Sequence, residues 1–159
     1  MNHTLLLGLI ILVVFWLGSG SKSGPGRASG RPVGRASGAV DTRSERWGTS
    51  VHEAGHYRVA KQLGGRGVHG WLLPDGGEVY GRLNDGVDSA IVALAGRAAG
   101  RRISGRYGHS GHDERVARQM LRGTGVSYSQ ARREAERLVS TNWGAVKSDA
   151  RRLYRNGRI

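Results

Sequence analysis

From Asp41 onward, apolar positions recur at helical spacing in separate stretches, each closed by glycine or a polar cluster. Val51, Gly55, Val59 and Leu63 line one stripe of a helix predicted over 41–63, which Gly64 and Gly65 end. "VHGWLLPDGGEVYGRL" then reads as two short strands, at 68–73 and 78–83, joined by a Pro-Asp-Gly-Gly turn. Val87, Ala90, Ile91, Leu94, Ala95 and Ala98 return to helical spacing and predict a helix over 87–102, with Asp85 or Asp88 at its cap. Its alanines and Gly96 suit close packing against another helix. Further helices are expected over 112–122, 129–140 and 143–155, with Ala131, Ala135, Leu138, Val146, Ala150 and Leu153 as apolar positions of the last two. The expected fold is mostly α with one small β-hairpin, an α+β domain.

The first forty residues follow a different pattern. "TLLLGLIILVVFWLG", at 4–18, is continuously apolar and uncharged. Its core would span roughly 20 Å as a helix at about 1.5 Å per residue, short for a bilayer core of about 30 Å. No Lys or Arg precedes it and no small-x-small cleavage site stands out, so residues 1–18 read as a single-pass anchor, with a cleaved signal peptide as the rival. Lys22, Arg27, Arg31 and Arg35 all follow the apolar run, which puts the rest of the chain on the cytoplasmic side. Residues 19–40 repeat GRASG twice and read as a flexible basic linker suited to anionic headgroups. Residues 41–159 are left as the folded domain.

Composition narrows the chemistry. The chain has 159 residues, 27 of them glycine, one phenylalanine and no cysteine. Disulfides and thiolate ligands are excluded, so any metal must sit on histidine and carboxylate. The formal charge of +13 favours anionic partners such as a membrane surface. Nucleic acid is not an expected partner, because charge alone points to it and no interleaved aromatics offer base stacking.

The chemistry concentrates in "TSVHEAGHYRVA", at 49–60. On a helix, His52 and His56 lie on one face and can share a metal ion, while Glu53 leaves the helix about 100° further round. That is the H-E-x-x-H arrangement of zinc peptidases, in which the glutamate takes a proton from an activated water. Ser50-x-x-Glu53 also fits a capping box, which would give Glu53 a purely structural task. Ala54 and Gly55 are small enough to let another element approach closely. A third ligand is needed, and His69, His109, His112, Asp113 and Glu114 are the candidates.

Three stretches then resemble, in order, the peptidase domain of the FtsH family, the M41 metallopeptidases. "SVHEAGHYRVA" resembles its zinc helix, "ALAGRAAGRRISG" its AGRxAE helix, and "SGHDERVARQM" the segment that supplies its third ligand. The C-terminal stretch from Gln130 to Ile159 is similar to its helical end region. The resemblance implies a zincin-like helical peptidase domain, with zinc on His52, His56 and Asp113 and with Glu53 as general base. It also implies that the strand containing Val68, His69, Gly70 and Trp71 receives an extended protein or peptide substrate. The family couples this domain to an AAA ATPase, whereas this sequence has no phosphate loop. A motor or a full-length FtsH-type homologue acting in trans is therefore an implied partner. A non-catalytic, zinc-containing adaptor or regulator of such a protease is the alternative.

Overall fold

A computed structural model describes residues 44–74, 76–103 and 111–159. The anchor expected at 1–18, the linker at 19–40 and His109 lie outside the described residues. Five helices and one hairpin follow in the order α1 (Glu45–Gln62), β1 (Arg66–Leu73), β2 (Gly76–Arg82), α2 (Gly86–Ile103), α3 (Gly111–Met120), α4 (Tyr128–Thr141) and α5 (Trp143–Asn156). The domain is mostly helical with a two-stranded antiparallel sheet, as the hydrophobic pattern predicts. Among the described residues no helix is long and apolar enough to cross a membrane.

Helix α1 is the central element. It begins at Ser44, whose side chain accepts a hydrogen bond from the Trp47 amide at 3.2 Å. Ser50 lies within the helix and donates to the Arg46 carbonyl at 2.7 Å, so the capping-box reading of Ser50 and Glu53 does not hold. The capping box in this chain is at α4, where Ser127 and Gln130 satisfy each other. Val51, Ala54 and Val59 are fully buried, and the helix ends at Gly64, which takes the left-handed conformation at φ +78.

Helix α2 packs against α1 with little between the two backbones. A Cβ at Gly55 would lie 2.7 Å from both the Ala95 carbonyl oxygen and the Ala99 Cβ. Glycine and alanine at these positions permit a close crossing, which larger side chains would hold open. The cap of α2 is Asp85, whose carboxylate accepts from the Asp88 amide at 2.8 Å. On its other flank α1 is tied to α5 by Arg58, whose Nε donates to the buried Asp149 at 2.7 Å. Leu153, Val146 and Ala150 of α5 complete that side of the core.

The hairpin lies beside α1. Val68, Gly70, Gly77 and Val79 face inward, while His69 and Trp71 face out. β1 pairs with β2 along one edge, and its other edge is covered by the end of the chain. The Gly70 amide donates to the Ile159 carbonyl at 3.0 Å, the Ile159 amide donates back at 2.9 Å, and the Leu72 amide donates to Gly157 at 2.8 Å.

Candidate metal centre

The middle turns of α1 carry His52 and His56 toward α2, and Gly96 is what lets them fit. A Cβ on Gly96 would stand 2.2 Å from His56 Nε2 and 2.7 Å from His52 Nε2. The two ring nitrogens are 3.0 Å apart. Helix α3 brings Asp113 to the same point, with Oδ2 at 3.2 Å from His52 Nε2 and 3.8 Å from His56 Nε2. All three side chains are buried.

These separations fit a metal. Four ligands at about 2.0 Å from a tetrahedral ion lie about 3.3 Å from one another, which the three observed separations bracket. His52, His56 and Asp113 are the group of metal-capable side chains among the described residues, and they form a site able to hold a metal ion. Among the described residues three side chains converge here, one fewer than a tetrahedral ion takes.

The ring of His56 is set for the task by its other nitrogen. Nδ1 lies 2.7 Å from the Val92 carbonyl oxygen, which can only accept. Burial, and then the neighbouring His52, pushes the His56 pKa down to about 4, so the ring is neutral. A neutral ring that donates from Nδ1 must present a lone pair at Nε2, toward the other two ligands.

Glu53 is completely buried, and neither carboxylate oxygen has a hydrogen-bond partner among the described residues. Burial is the main reason its pKa rises to about 8; His52 opposes the rise, while Asp113 and Glu78 add to it. The β2 backbone presses on this side chain, for a Cβ at Gly77 would meet Glu53 Cγ at 2.4 Å. The metal-free protein thus keeps this carboxyl protonated at neutral pH, and a cation at the adjacent cluster would favour its ionised form.

No known family profile matches the chain, and no curated protein matches it.

The remaining candidates fall elsewhere. His69 is exposed on the outer face of the sheet, its ring 5.8 Å from that of Trp71. His112 flanks Asp113 without joining the cluster. Glu114 forms an ion pair with Arg97 of α2, which ties α3 to α2 one residue after the candidate ligand. The sequence offered Arg97 only as part of a family motif, and nothing in it foretold this partner.

Both edges of β1 are engaged at Gly70, one by β2 and one by Gly157–Ile159. The strand containing Val68, His69, Gly70 and Trp71 thus has no open edge there for a substrate, because the chain's own end takes those hydrogen bonds. The outer edge of β2 makes no backbone hydrogen bond among the described residues, and β2 is the strand that touches Glu53.

Proposed function

We propose that this chain is a zinc metalloendopeptidase of the FtsH type, tethered to a membrane by residues 1–18, with its folded domain on the cytoplasmic side. The observation that carries the reading is the buried triad of His52, His56 and Asp113 with Glu53 unpaired beside it. A purely structural metal site has no use for a buried, unsatisfied carboxyl, which is costly to maintain. That cost is also the reason to prefer an enzyme over a non-catalytic adaptor.

His52, His56 and Asp113 would hold a zinc ion, which would supply Lewis acidity to a water and to a peptide carbonyl. The chain's own residues do the rest. Val92 fixes the His56 ring, Gly96 makes room for both imidazoles, and Arg97 with Glu114 holds the helix that carries Asp113. Glu53 takes the proton of the attacking water and delivers it to the leaving amine. The open edge of β2 offers main-chain pairing to an extended segment, so the substrates are unfolded or flexible stretches of protein. Folded substrates would have to be unfolded first, the task of an ATPase in the family that the sequence resembles.

The test is reconstitution. The zinc-loaded chain should cleave fluorescently labelled casein without ATP, lose activity on chelation and regain it with zinc. A folded chain that binds zinc and leaves casein intact would contradict the proposal.

A further inference from the structure

Trp71 and Glu78 stand directly opposite each other across the hairpin. The Trp71 and Tyr80 rings meet edge-on at 5.4 Å, and the Tyr80 hydroxyl donates to the Glu78 carboxylate, which fixes its position. Trp71, at 37% exposure, is the exposed large hydrophobic residue among those described. The chain carries 25 Lys and Arg against 12 Asp and Glu, yet Glu78 has no ion-pair partner among the described residues. Glu114, Glu134, Glu136 and Asp149 each have one, whereas Glu45, Asp85 and Asp88 share with Glu78 the lack of one among the described residues; what sets Glu78 apart is the aromatic pair beside it. Even Arg158, placed opposite Trp71 on the far edge of β1, makes no such pair with Glu78.

A carboxylate held beside aromatic rings on an exposed surface is the chemistry that recognises an ammonium or guanidinium group. The location adds to this. Glu78 follows Gly77, the residue whose backbone packs on Glu53, and the outer edge of β2 makes no backbone hydrogen bond among the described residues. In an extended peptide paired along that edge, alternate side chains project to the outer face of the sheet.

We infer that Trp71, Glu78 and Tyr80 form a subsite for a lysine or arginine side chain of a peptide paired along β2, close to the bond being cut. The inference rests on the peptidase reading for the peptide's fate, while the cation preference rests on the patch alone.

The experiment is fluorescence anisotropy with the zinc-loaded full chain carrying Glu53→Gln, so that no turnover intervenes. The probes are labelled ten-residue peptides, identical except for one central lysine, arginine or glutamate. The lysine and arginine peptides should bind about tenfold tighter than the glutamate peptide, the combined scale of one exposed ion pair and one cation–π contact. Glu78→Gln should erase most of that difference, and Glu78→Lys should invert it. Both substitutions are on the outer face of the sheet, and circular dichroism with zinc content confirms that the variants fold. Equal binding of all peptides, a preference that survives Glu78→Gln, or no binding of any peptide would overturn the subsite. Failure of the peptidase reading has a different signature: the parent chain cleaves none of the peptides, yet the Glu78-dependent preference in binding persists.

Discussion

Gly96 and His56 are so closely fitted that a single methyl on Gly96 would lie 2.2 Å from the His56 Nε2. The same methyl would also strike His52, and neither ring has room to retreat inside a buried crossing of α1 and α2. Gly96→Ala should therefore separate the two imidazoles or push the helices apart. Overpacking of this kind costs about 1–3 kcal/mol, and the displaced rings should weaken zinc binding by at least about tenfold. Urea unfolding and chelator competition measure the two effects. Parental zinc affinity in the Gly96→Ala variant would show that the imidazoles sit more loosely than described.

Asp113 reaches the histidines only if α3 is held in place, and Arg97 pairs with the residue next to it. Arg97→Leu should weaken zinc binding by roughly 10- to 100-fold, the usual effect of losing a group that orients a ligand. Asp113→Ala, which removes the ligand itself, should cost more. Exchanging the charges, Arg97→Glu together with Glu114→Arg, should recover part of the loss. Unchanged affinity in folded Arg97→Leu would assign the placement of Asp113 to the packing of Ala117 and Leu121 instead.

The pH dependence of the metal-free chain separates Glu53 from His56. Burial raises Glu53 from an ordinary value of 4.5 to about 8. Between those values the unfolded chain has released a proton that the folded chain keeps, so this group's contribution to stability falls as pH rises and is lost above about 8. His56, lowered from 6.5 to about 4, acts in the opposite sense and costs stability as pH falls through that window. Glu53→Gln removes only the first dependence. With zinc chelated, the variant should gain on the parent from about pH 5 to pH 8, reaching a few kcal/mol. A margin that does not change with pH would mean that the Glu53 carboxyl is solvated in solution.

Much of the fold was legible because the helices carry their apolar residues at regular spacing. Val51 and Val59 of α1, and Ala90, Ile91, Leu94, Ala95 and Ala98 of α2, are buried as their periodicity predicts. The hairpin followed from its turn residues, and each strand starts two residues earlier than expected because glycines and Arg66 extend the pairing. His52 and His56 were legible from their spacing, whereas Asp113 was one of five candidates and only a resemblance singled it out, since one acidic residue in a first helical turn looks like any other. The covering of β1 by Gly157–Ile159 was not legible at all. Three residues carry no periodicity, and their pairing joins parts of the chain that only the tertiary fold brings together. The close fits at Gly77 and Gly96 were hidden for a related reason: a glycine gives no local sign of what packs against it.

The most direct measurement compares the zinc-loaded chain with its Glu53→Gln variant for zinc content and for hydrolysis of casein. Glu53 lies beside the ligands without being one of them, so the variant should bind one zinc per chain, as the parent does. Its hydrolysis should fall by a factor on the order of a hundred or more, as expected for loss of a general base. Equal hydrolysis by the two zinc-loaded proteins, or none by either, would contradict the assignment of this site as a peptidase centre.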